Sequence, residues 1–285
     1  MLDESYLIRG LNALSRAHER DFFGDGHRGA ALVAAYYFCH ERALPSATQS
    51  VIADCLRHDL DRNDLFAPLP AQAATPELAS KIVETLAVRI GSFKMAGHSV
   101  IFPSAALKAF REVPHAATPR RVEGICKLIK CFDSVKTDES AEIENIPGFD
   151  DEAEMVRFIF HEFLGALPRW KGYGQGWAGH LLTFSHALIE LSDLGYGNLT
   201  KAGHPALRSL ISITRRGPRE GDRPIPDHLP SPWTPLDAQY WKGKRPGLNN
   251  LGHVFKYPYS YYNLLARLKD QELRGICEAQ SYQIF

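Results

Sequence analysis

No Cys-x-x-Cys occurs among the five cysteines of this 285-residue chain, and their number is odd. That combination excludes a disulfide framework and predicts reduced thiols in a cytoplasmic protein. Net charge is missing as well. The chain has 33 Lys+Arg against 33 Asp+Glu, so no overall field draws it to nucleic acid or to an anionic membrane. The acidic start, Met1-Leu2-Asp3-Glu4-Ser5, lacks the basic region and long apolar run of a secretory signal. The longest low-charge stretch, Gly172 to Ile189, is glycine-rich and holds two histidines, which argues against a membrane span. Strand-type alternation is absent too. With 45% apolar and 23% charged residues, the remaining class is a soluble all-helical protein with a substantial core.

One pattern stands out. A Gly-His pair precedes an apolar, helix-length run four times: Gly26-His27, Gly97-His98, Gly179-His180 and Gly252-His253. Alternate pairs are almost equally spaced. The second and fourth share more, with an aromatic and a proline four and five residues after the histidine (Phe102-Pro103, Tyr257-Pro258) and a later Gly-Ile-Cys (124–126, 275–277). These marks predict an α/α toroid-like ring of helical hairpins, with four pseudo-repeats in two halves. The chain is then a single helical domain over 1–285. Its halves run from about 1 to 133 and from 152 to 285, joined by an acidic connector at 134–151. The proline-rich stretch 215–247 cannot be regular helix and reads as a lid or an arm for a protein partner.

Within each unit the pair is expected at a turn. Phe22 to His27 breaks the first helix and Arg28 to His40 forms a buried inner one. Gly172 to His180 is a second turn, ahead of an apolar helix from Leu181 to Leu194. Four helix N-termini facing one space would attract an anion and favour neutral imidazole. His27 is therefore the candidate general base, with Asp25 as its orienter. Arg28, His98, Trp177, His180, His253 and Tyr257 are the candidate substrate-binding groups. No metal or other cofactor is assigned. A four-His or three-His-plus-Asp site is chemically reasonable, but ring-related positions are expected beyond metal-binding distance and no compact His-x-x-x-His supports one.

Other patterns carry less. Gly24-Gly26-Gly29 and Gly174-Gly176-Gly179 fit Gly-x-Gly-x-x-Gly, yet helices precede both, so no dinucleotide fingerprint follows. Asp150 to Glu154 reads as a solvated run or a helix start. Asp54, His58 and Asp61 share one exposed helix face. Cys55, Cys126 and Cys277 read as small apolar residues on outer helices.

The segments Gly24 to His40 and Gly179-His180-Leu181-Leu182…His186-Ala187-Leu188-Ile189-Glu190-Leu191 also carry a resemblance, in their Gly-His turns and helix rhythm. They resemble the helical aziridine-forming subunit of azinomycin-type biosynthesis, which acts beside a small partner. They resemble equally the questin oxidase-like family, with its repeated His-bearing helices. The first resemblance implies intramolecular displacement of an anionic leaving group, and the second implies oxidation of a polycyclic aromatic. No catalytic residue is carried over from either. The leading expectation is an enzyme of specialised metabolism that cyclises or otherwise transforms a small anionic molecule in a His-lined cavity. The alternatives are a His-ligated metal-dependent or questin oxidase-like oxidoreductase, and a non-catalytic helical scaffold.

Overall fold

Asp3 accepts a hydrogen bond from the Ser5 amide at 2.9 Å and so starts the first helix, α1 (Glu4–Arg16). The computed structural model describes residues 2–60, 63–137, 145–244 and 247–285, without the side chains of 58–59 and 248–250. Every regular element among them is helical, and one isolated parallel bridge, Tyr173 to Ile225, is the nearest thing to a strand. After α1 come α2 (Phe22–Glu41), α3 (Ser46–Leu60), α4 (Ser80–Ala87), α5 (His98–Glu112) and α6 (Pro119–Cys131). Then follow α7 (Glu152–Arg169), α8 (Gly176–Asp193), α9 (Gly197–Ala202) and α10 (His204–Arg216). The last are α11 (Ala238–Trp241), α12 (Gly247–Arg267) and α13 (Gln271–Gln280).

The contacts divide the chain into two units, and each draws on both sequence halves. The first holds residues 1–89, 99–136 and 233–259. It is built around α2, in which every residue from Gly29 to Cys39 is buried. α1 packs on α2 and α6, α4 packs on α6, and α11 packs on α3. The α1–α2 crossing is close because each helix offers a glycine. A Cβ on Gly10 would lie 2.9 Å from the Gly29 carbonyl, and one on Gly29 would lie 2.8 Å from that of Gly10.

The second unit holds residues 90–98, 137–232 and 260–285. Its centre is α8, buried without a break from Ala178 to Leu191. α7, α9 and α10 pack on α8, and α13 packs on α7. Arg267 ties this unit together, bonding Glu152 at 3.1 Å and Asp193 at 2.6 Å. Asp151 caps α7 by accepting from the Glu154 amide at 3.0 Å, which is the helix-start role expected of that acidic run. Part of the proline-rich stretch is fastened down here: the Ile225 amide donates to Gly172 O at 2.9 Å, and the Gly172 amide to Asp227 at 2.8 Å.

Three of the Gly-His pairs lie inside a helix and not at a turn. Asp21 accepts from the Gly24 amide at 3.0 Å and starts α2 at Phe22, so the Gly-His pair lies inside the helix. α8 likewise starts at Gly176 and α12 at Gly247, both ahead of their pairs. Much of the acidic connector (138–144), the Asp61 position, the His58 side chain and residues 245–246 lie outside the described residues. No helix among the described residues is long and apolar enough to cross a membrane.

Candidate metal centre

Only His98 is the first residue of its helix. His27, His180 and His253 stand in the second turn of α2, α8 and α12. The dipole effect fades beyond the first turn, so a shared field of four helix ends is not what brings these residues together. Glycine does so through close packing. A Cβ on Gly26 would sit 2.3 Å from the Phe102 ring, and one on Gly252 would sit 2.6 Å from His27 Cδ2. A Cβ on Gly97, at φ +83°, would meet the Phe184 ring at 2.3 Å. In each of these three cases the residue before the histidine is small because an aromatic side chain packs close against the backbone there.

The imidazoles are held in a common way. Nδ1 of His27 donates to the Phe23 carbonyl at 2.8 Å, that of His98 to Met95 at 2.5 Å, and that of His180 to Gly176 at 2.5 Å. A proton held on Nδ1 puts the ring's lone pair on Nε2, the arrangement a histidine needs in order to ligate a metal. Three of these rings converge. His27 on α2, His98 at the head of α5 and His253 on α12 each offer a ligand nitrogen, and all three nitrogens lie within 4.8 Å of one another. The expectation that the repeated histidines stand too far apart to share a metal is therefore corrected for these three. The chain folds helices from distant parts of the sequence onto one point, which no local motif reveals.

Burial of the triad is uneven. His27 is 7% and His98 0% exposed, whereas His253 faces solvent. His27 meets His253 edge to face, with centroids 5.1 Å apart, and Tyr257 stacks on His253 at 4.8 Å. Phe23 and Phe102 flank His27 at 4.4 and 5.4 Å. Burial pushes the Tyr257 phenol upward, so it stays protonated.

The remaining predicted residues divide between the two units. Asp25 is buried and its carboxylate is engaged by Arg28 Nη1. It stands two residues from His27, on another side of the helix, and the orienting bond to His27 comes from Phe23 one turn back. The pair Asp25–Arg28 thus satisfies itself. Trp177 and His180 lie in the second unit, where they line a cavity with Trp170 and Tyr173. His180 meets His98 there at 5.0 Å between centroids.

Lys256 was not foreseen. It lies one turn beyond His253, 3% exposed, with Nζ 5.5 Å from the Phe102 centroid. Burial holds its amine well below the usual 10.5. A lysine set among Val254, Phe255 and Tyr257 was the available signal. Comparison with family models, curated proteins and solved structures returns no match. The chemistry of the site is read from its own residues.

Proposed function

We propose that this protein is a metal-dependent enzyme in which His27, His98 and His253 hold a divalent transition ion, with zinc the best fit to three neutral nitrogens. The observation that carries this reading is the convergence of their ligand atoms within 4.8 Å. In a tetrahedral site with metal–nitrogen bonds of about 2.0–2.1 Å, the nitrogens would need to draw in by only about 1 Å or so. Two of the three rings are already oriented by main-chain carbonyls.

Three imidazoles without a carboxylate leave the ion its full double charge, which favours a small anionic substrate. Such an ion lowers the pKa of bound water to about 7 and polarises a carbonyl or phosphoryl oxygen. The reaction class we assign is hydrolysis or a related Lewis-acid step on an anionic small molecule. The solvent-facing side of His253 provides the approach. Asp25 and the half-buried Arg28 act as a structural ion pair within α2.

This reading keeps the four Gly-His pairs as one repeated position of a toroid-like ring. The Nδ1-to-carbonyl bond of His27, His98 and His180 supports it, as do the rings lying against Gly26, Gly97 and Gly252. Five free thiols accord with the cytoplasm.

Elemental analysis of the purified protein tests the proposal, together with chelation and zinc readdition in assays with 4-nitrophenyl esters and phosphates. One zinc per chain, and activity that follows it, is the expected result. Iron in its place turns the site toward oxidation. No metal uptake returns the imidazoles to general-base work on the substrate. A protein with neither metal nor activity, but with a partner bound through 215–247, would be a scaffold.

A further inference from the structure

The second unit contains a cavity of about 360 Å³ whose walls are set out by Trp170, Tyr173, Trp177, His180, Asp222 and Arg223. Two indoles stand side by side in its wall, tilted by 41° with centroids 6.0 Å apart, and Trp177 lies 6.3 Å from the His180 ring. The two charged groups differ in what they do. Asp222 accepts from the Arg219 amide at 2.6 Å and so serves the turn it sits in. Arg223 is exposed and meets no carboxylate among the described residues. α8 opens into the same space at Gly176, and its N-cap residue, Gln175, makes no side-chain capping bond. A Cβ on Gly176 would meet nothing within 4 Å, so the space beside the helix end is open.

We propose that this cavity binds a planar aromatic carboxylate, its ring against Trp177 and Tyr173 and its carboxylate toward Arg223 and the start of α8. The aromatic walls reward a flat, polarisable body, and a guanidinium beside them rewards a bidentate anion. The volume falls in the range of sites for small organic ligands. The inference rests on the metal reading in one respect only. His180 carries the cavity wall to His98, whose ring it meets at 5.0 Å, so a bound acid would be the substrate presented to that centre.

The test is calorimetric titration of the full chain, after dialysis against a chelator, with indole-3-carboxylate, indole-3-carboxamide and cyclohexanecarboxylate. The carboxylate is expected to bind one per chain, with both analogues weaker by about tenfold or more. Arg223→Gln is expected to cost about tenfold and to abolish the preference for the acid over the amide. Trp177→Leu is expected to weaken the acid similarly. If circular dichroism shows that variant unfolded, Tyr173→Ala at the exposed edge makes the same test. Equal binding of acid and amide, an unaffected Arg223→Gln, or tetramethylammonium binding in place of the acid would overturn the proposal. Because the protein is metal-free, this result is separate from the first reading. Acid binding without metal uptake sinks the metal centre alone, and metal uptake without acid binding sinks the cavity assignment alone.

Discussion

His27 and His253 meet edge to face at 5.1 Å because the residue before His253 has no side chain. A methyl group on Gly252 would have to enter within 2.6 Å of His27 Cδ2, with no flexible end to yield. Gly252→Ala is therefore expected to cost about 1–3 kcal/mol in urea unfolding and to weaken zinc binding by at least tenfold. Gly275 lies on an exposed stretch of α13 with nothing within 4 Å of its would-be Cβ. Gly275→Ala should stabilise by about 0.5–1 kcal/mol, since there only helix propensity changes. The same substitution then has opposite signs at the two positions. Equal effects would contradict the close-packing account of the Gly-His pairs.

Several features of the fold were legible in the sequence. The apolar runs after Gly26-His27 and Gly179-His180 gave the inner helices, because a helix buried on every side must be apolar on every side. What the sequence did not reveal was why glycine precedes histidine. Read locally, Gly-His suggests a turn. In the fold, Gly26 and Gly252 are helical and small because Phe102 and His27, far away in the chain, lie against them. The same distance hid the metal geometry, since His27, His98 and His253 come from three helices far apart in the chain. Asp25 beside His27 looked like an orienting carboxylate, but residues two apart on a helix face different ways. Arg223 drew no notice because its interest depends on Trp170 and Trp177 standing beside it.

The start of α2 rests on Asp21, whose carboxylate accepts from the Gly24 amide at 3.0 Å. Asp21→Ala should lower stability by about 0.5–2 kcal/mol, with Asp21→Asn close to wild type, as thermal or urea unfolding would report. Fraying there loosens Phe23, the residue whose carbonyl orients His27, so a smaller fall in metal affinity should accompany it. A stable Asp21→Ala variant with unchanged melting would remove this link.

Lys256 makes stability depend on pH. The unfolded amine takes up its proton near 10.5, and the buried one only well below that. Between those two values the unfolded state holds more protons, so folding becomes more favourable as pH rises through the window. The wild type should gain stability as pH rises from neutrality to about pH 8; above that the Cys39 and Cys277 thiols, which burial pushes up to about 12, ionise first in the unfolded state and act in the opposite direction. Lys256→Met should flatten that slope and raise stability at neutral pH by about 1–3 kcal/mol. A wild-type profile that falls over this range, or a variant with the same slope, would show that burial of Lys256 is not its source.

The central claim is that three histidines from three helices form one metal site, and cobalt(II) titration followed by visible absorption tests it most directly. The account predicts one cobalt per chain with the intense bands of a tetrahedral site, lost separately in His27→Ala, His98→Ala and His253→Ala. Arg28→Ala, which removes a group outside the triad, should keep the bands. Absence of bands in the folded wild type, or bands that survive in all three histidine variants, would contradict it.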